Sequence, residues 1–231
     1  IFEKFKNSIG FLLALAKESG GNMPLQEELF KMAKNIPGGF PLTPKWAMIR
    51  SLGRQSQGNL DLQEGIKMLP MSDQPGVIKW WVVMGLVEGS KGNGDLQKEM
   101  LVRMSDRSCL ARELANTVRL KLYLNSADDA QFRLELRDKI FRSAKHLSGK
   151  SKALALLALS NSDWDDSAFQ EKLFKTLLFK SEPGSNAIRV QALINMISKM
   201  ELTSSMKRLV RRFAESGLEK ADRLKLLALL D

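Results

Sequence analysis

One apolar position returns through the whole chain at nearly equal intervals: Leu15, Leu52, Leu86, Leu122, Leu159, Leu193 and Leu229, at steps of 37, 34, 36, 37, 34 and 36 residues. Self-similarity at such a period marks a stacked-repeat architecture, in which each unit buries its apolar side against its neighbours. The residue before each leucine is Ala14, Ser51, Gly85, Lys121, Ala158, Ala192 or Ala228, small in every case but Lys121. A small residue at a fixed place on a helix lets the next backbone come close.

A second column, Leu29, Ile66, Met100, Leu136, Leu173 and Leu209, follows the first by 14 residues in five units and by 16 in the sixth. Four residues before it stand Leu25, Leu62, Leu96, Phe132 and Phe169, with Ser205 in the sixth unit. Spacing of four places each pair on one side of a helix. The words Leu25-Gln26-Glu27-Glu28, Leu62-Gln63-Glu64, Leu96-Gln97-Lys98-Glu99 and Phe169-Gln170-Glu171 recur around the second column.

Punctuation predicts two helices per unit. Pro44, Pro75 and Pro183 are expected to precede three first helices, where the missing N–H costs nothing. Gly20-Gly21-Asn22, Gly58-Asn59, Gly92-Asn93-Gly94 and Asn125-Ser126 are turn formers between the helices. Asp61, Asp95, Asp129 and Asp166 are expected to cap second helices. The first helix is expected to begin within Ile1 to Phe5, and the last unit to stop after a single helix. The expectation is an all-α fold: one α-solenoid domain over residues 1–231, with about six and a half helix pairs of 34–37 residues.

This layout resembles the HEAT and armadillo class of α-solenoids, on the strength of the period, the two helices per unit and the two columns. The resemblance covers nearly all of residues 5–231 and implies a superhelix whose second helices line a concave binding face. The tetratricopeptide signature of Trp, Gly-Tyr and Pro is absent. Trp46 and Trp80 share a column six residues before Leu52 and Leu86, which predicts packing against the adjacent unit.

Composition agrees with a folded helical chain, at 44% hydrophobic and 27% charged residues. No stretch reaches the eighteen or so apolar residues of a membrane span, so no membrane insertion is expected. The chain does not begin with Met, and is expected to be a mature portion or fragment of a longer protein. Cys109 and His146 are the only residues of their types, so no disulfide within the chain and no Cys/His zinc site is available.

Motifs with chemistry reduce to structure. Ser148-Gly149-Lys150-Ser151 matches the tail of a phosphate-binding loop, but Ala144 stands where the pattern needs Gly, and a turn between repeats is expected. Gly89, Gly92 and Gly94 are read as a turn. Asp163, Asp165 and Asp166 lack the glycine of a calcium loop, because Ala168 occupies its place, and helix capping is expected. His146 has no paired ligand, and nothing in the spacing brings it to Cys109. The sequence therefore names no catalytic, cofactor-binding or metal-binding residue, and the chain is expected not to be an enzyme.

Charge supplies the remaining signal. The formal net charge is +10, which attracts acidic partners of any class. Residues 101–150 hold 11 Lys/Arg against 6 Asp/Glu, whereas residues 51–100 hold 5 against 6. Arg133, Arg137 and Arg142 fall on one second helix, Arg208, Arg211 and Arg212 on another, and Lys31 and Lys175 share a column with Arg211. These eight are the candidate partner-binding residues. The expected partner is a protein or peptide with an acidic surface, held on the concave face of a scaffold. Nucleic acid held through its phosphates is the alternative. Aromatic residues do not interleave with these charges along the chain, which argues against base stacking.

Overall fold

The computed structural model describes residues 8–36, 44–71, 74–105, 112–147, 149–162, 166–179 and 185–230. Within them every element is helical, and thirteen helices follow one another. They are α1 (Ile9–Lys17), α2 (Met23–Asn35), α3 (Pro44–Gln55), α4 (Leu60–Lys67), α5 (Gly76–Gly89), α6 (Gly94–Ser105), α7 (Arg112–Asn125), α8 (Ala130–Ala144), α9 (Gly149–Ser160), α10 (Ser167–Leu178), α11 (Asn186–Ile197), α12 (Ser204–Glu215) and α13 (Lys220–Leu227). The chain forms two compact units, Ile1–Leu136 and Arg137–Asp231. No helix among the described residues is long and apolar enough to cross a membrane.

In the first unit, first helices pack on first helices in the series α1, α3, α5, α7, and the second helices α2 and α4 also touch. In the second unit α9 packs on α11 and α11 on α13, while α10 meets α12. The first leucine column is buried within each unit: Leu52, Leu86 and Leu122 in the first, and Leu159 and Leu193 in the second, are each at most 1% exposed. Leu15 is half-buried, and Leu229 is 42% exposed; in α13 and just after it Leu226 and Leu230 are the buried leucines. Burying a leucine side chain in full is worth about 1.5–3 kcal/mol, so this column supplies a large share of the stacking energy.

Helices α3 and α5 approach closely. A Cβ on Gly85 would stand 2.6 Å from the Arg50 carbonyl oxygen, and one on Gly89 would stand 2.0 Å from that of Gly53. The small residue expected before Leu86 therefore has a direct steric reason.

The second column is buried at Leu29, Ile66, Met100, Leu136 and Leu173, but Leu209 is 38% exposed. Val210, at 0%, takes the sixth place, and Met206 rather than Ser205 takes the position before it. Counted this way the steps are 37, 34, 36, 37 and 37. The sixth unit reaches its second helix through three additional residues, and the shift expected from sequence compensates only two of them.

The cap position corrects another expectation. Asn22, Asn59, Asn93, Asp129, Asp166 and Thr203 each accept, through a side-chain oxygen, the N–H of the residue three further on. Asp61 lies in the first turn of α4 and Asp95 in that of α6, so the two carboxylates favour the helix dipoles but the neighbouring Asn59 and Asn93 are the caps. Before these caps the turn places Gly21, Gly58 and Gly92 at φ of 75°, 80° and 82°, a conformation that glycine adopts without strain.

From the cap, a buried polar relay runs through the first unit. Gln63 Nε2 donates to the Ser56 carbonyl (3.0 Å) and the Gly89 carbonyl (2.9 Å), which closes its own hairpin turn and reaches the end of the next first helix. Gln26 does the same with Ser19 and Gln55, and Gln97 with Ser90 and Asn125. The asparagine caps complete the chain: Asn59 Nδ2 donates to Gln26 Oε1 (2.9 Å) and Asn93 Nδ2 to Gln63 Oε1 (2.7 Å). These glutamines are at most 2% exposed, and their amides satisfy the Gln55, Gly89 and Asn125 carbonyls at the ends of first helices. The Ser19, Ser56 and Ser90 carbonyls accept the Asn22, Asn59 and Asn93 N–H groups as well.

The Ile1 to Phe5 start, Pro183, Ser148, Asp163, Asp165 and Cys109 lie outside the described residues. Pro44 is the first residue of α3, and Pro75 is the N-cap of α5. Gly149 opens α9 after a turn, at φ 47°.

Candidate binding grooves

A depression of about 650 Å³ in the first unit runs over the first helices and is lined by residues of α1, α3 and α5 together with Glu18. Its apolar walls are Leu13, Ala47 and Trp81, and its charges are Lys17, Glu18, Arg50, Arg54 and Glu88. The Arg50 guanidinium lies over both indoles of the next first helix, 5.7 Å from the Trp80 centroid and 5.1 Å from that of Trp81. Cation–π attraction of this kind fixes the head group while leaving its N–H edges open. Arg50 is half-buried, and it makes no ion pair or hydrogen bond among the described residues. Arg54, by contrast, is 3.6 Å from Glu88. Gln55 Nε2 donates to the Lys17 carbonyl (2.6 Å) and ties α3 to α1 at the groove's end. The Ser51 hydroxyl is spent on the Ala47 carbonyl. Trp46 is buried, as its column suggested, whereas Trp80 and Trp81 are half-buried.

None of this groove was read from the sequence. Arg50 stands 30 residues before Trp80, so charge and aromatic meet only through helix stacking.

The sequence-predicted basic residues are divided between the units. In the first, Lys31 is exposed on α2 beside Glu28 (4.0 Å), and its repeat position continues as Met68 and Val102, each 71% exposed. The basic column is therefore interrupted by apolar side chains. Arg133 is half-buried, with its guanidinium 4.9 Å from the centroid of the buried Tyr123 ring.

In the second unit Arg137 and Arg142 come together in a groove of about 490 Å³ with Asp138, Phe141, Asp166, Phe169 and Lys172. Arg137 is 8% exposed and committed within the fold. It donates to Asp138 and Asp166 at 2.9 Å each, and its guanidinium lies 4.2 Å from the Phe169 centroid. Phe169 meets Phe141 edge to face at 5.4 Å. The Phe169 N–H and the Arg137 guanidinium hold the Asp166 carboxyl below its ordinary value, against the opposing effect of burial. In the first unit the Phe132 N–H, and then Lys98, likewise lower Asp129. Arg142 is exposed and bonds the Asp138 carbonyl of its own helix, and Lys175 is exposed and paired to Glu171.

Arg208, Arg211 and Arg212 lie exposed on α12, opposite the buried Met206, Val210, Phe213 and Ala214. They have no acidic partner among the described residues. With Val210 in the second column, Arg212 rather than Arg211 shares the repeat position of Lys175.

No group of His, Cys, Asp and Glu side chains among the described residues has the arrangement of a metal site. No family model matches the chain, and neither a curated protein nor a solved structure does.

Proposed function

We propose that this chain is a helical-repeat scaffold of the HEAT and armadillo type, a solenoid whose role is to hold a protein or peptide rather than to catalyse. The observation that supports this most is the open groove over α1, α3 and α5, where an arginine held over two indoles meets a lining of Trp81 and the aliphatic Leu13 and Ala47. Stacked repeats offer long surfaces of this kind because each unit needs only its neighbours for stability. The groove suits recognition: its one serine hydroxyl is occupied, and its lining contains no histidine or cysteine.

A second reading has an observation of its own. The exposed row of Arg208, Arg211 and Arg212 suits phosphate contacts, and with it the chain is a nucleic-acid-binding solenoid. Salt separates the two readings, since phosphate neutralisation releases counterions and makes binding fall steeply with ionic strength. Titration with peptides and with single- and double-stranded DNA and RNA at 50 and 200 mM salt is the test. The scaffold reading expects peptide binding that weakens modestly with salt and no measurable nucleic-acid binding at 50 mM. Nucleic-acid binding that falls by roughly twenty- to fortyfold or more between the two salts, as three phosphate contacts require, gives the chain to the second reading.

A further inference from the structure

From the groove of the first unit, and resting on the scaffold reading, we infer that Arg50 is a carboxylate-recognition point, and that the groove takes a peptide segment in which acidic and aliphatic side chains alternate.

Three observations carry this. First, Arg50 is half-buried, held over Trp80 and Trp81, and has all its N–H donors unused among the described residues. A guanidinium whose faces meet aromatic rings presents its donors edge-on, the geometry that takes a carboxylate by two parallel hydrogen bonds. Second, the cations around it are unequally committed. Arg54 is drawn to Glu88, whereas Arg50 and Lys17 have no ion pair among the described residues, and of these two only Arg50 is held against aromatic rings. Third, the lining is mixed, with Glu18 and Glu88 beside Lys17, Arg50 and Arg54. A nucleic-acid backbone brings a charge at every residue and meets these carboxylates. A peptide with separated acidic side chains sets one on Arg50 and lays its aliphatic neighbours on Leu13, Ala47 and Trp81. The volume of about 650 Å³ is that of a site for a short segment rather than a single ion.

The test is calorimetric titration of the whole chain with three probes: acetyl-(Leu-Glu)4-amide, its counterpart with Gln in place of Glu, and a twenty-residue oligothymidylate. The Glu peptide is expected to bind at least tenfold more tightly than the Gln peptide. Arg50→Ala is expected to abolish that preference, and Arg50→Lys to keep part of it, because a lysine retains the charge without the two-pronged geometry. Far-ultraviolet circular dichroism checks that each variant keeps its helices, and Lys220→Ala, an exposed charge outside the groove and outside the candidate residues, serves as a control with an unchanged preference. Equal binding of the two peptides, or a Glu preference that survives Arg50→Ala, overturns the inference and leaves the scaffold reading standing. Peptide binding absent from every titration also overturns it. Oligothymidylate binding that depends on Arg50 overturns both the inference and the scaffold reading.

Discussion

Asn93 Nδ2 donates to Gln63 Oε1 at 2.7 Å, although 30 residues separate them. The same asparagine accepts the Leu96 N–H, and the same glutamine donates to two helix-end carbonyls, so one pair of amides joins a cap, a turn and two successive hairpins. Register between neighbouring units is thereby set by directional bonds as well as by leucine packing.

Replacing Gln63 by Leu leaves the Gly89 carbonyl and the Asn93 amide without this partner, while the Ser56 carbonyl keeps the Asn59 N–H. Each buried polar group stripped of its bond costs about 1–3 kcal/mol, so a loss of roughly 3 kcal/mol in urea unfolding is expected. An exposed change such as Glu27→Gln is expected to stay within about 0.5 kcal/mol. Equal midpoints for the two variants would remove the relay from the account.

Gly89 tests the close approach of α3 and α5. A methyl group there meets the Gly53 carbonyl oxygen at 2.0 Å and the Ser56 hydroxyl at 2.6 Å, so the helices must part. Gly89→Ala is expected to lower stability by about 1–3 kcal/mol despite its gain in helix propensity. Gly94→Ala, where a Cβ meets nothing within 4 Å, is the comparison.

The sixth unit offers a test of register. Val210→Ala removes two buried methyl groups and is expected to cost about 1.5 kcal/mol, whereas Leu209→Ala is expected to cost under about 0.5 kcal/mol. The reverse order in thermal or urea unfolding would restore Leu209 to the column.

Acid stability follows from the capping carboxylates. Asp129 and Asp166 both titrate below the ordinary value of 3.8 when folded. Their contribution is therefore complete above that pH and is lost as the pH falls through the lower folded values. Melting temperature is expected to drop between pH 4 and pH 2, and the drop is expected to be shallower in an Asp129→Asn, Asp166→Asn double variant, where Asn still accepts the cap bond. An unchanged slope would show that these two groups do not govern the acid limb.

The leucine column was legible because apolar periodicity is dictated by helix geometry alone: Leu52, Leu86 and Leu159 recur at the period and are buried alike. The shared Gln26, Gln63 and Gln97 were visible as a repeated word, yet an amide reads as a surface residue until the helix ends it serves are placed around it. The slip at Leu209 arose because two adjacent aliphatic residues satisfy the pattern equally, and the Thr203 cap and Met206 decide between them. The groove was not legible, since Arg50, Trp80 and Trp81 meet through stacking across hairpins. Arg137 counted as a free cation in sequence because Asp166, its partner, lies 29 residues away.

The most direct test of the stacked-repeat account is to delete one whole period, residues 56–89, so that Ser90 follows Gln55. Nearest-neighbour stacking then lets Asn93 take the place of Asn59 beside Gln26, and leaves the Gln26 bonds to Ser19 and Gln55 available. The shortened chain is expected to keep its helicity per residue at 222 nm and to unfold cooperatively in urea, while deletion of half a period, residues 56–72, abolishes both. Loss of helicity in the whole-period deletion, or equal tolerance of the two, would contradict the account.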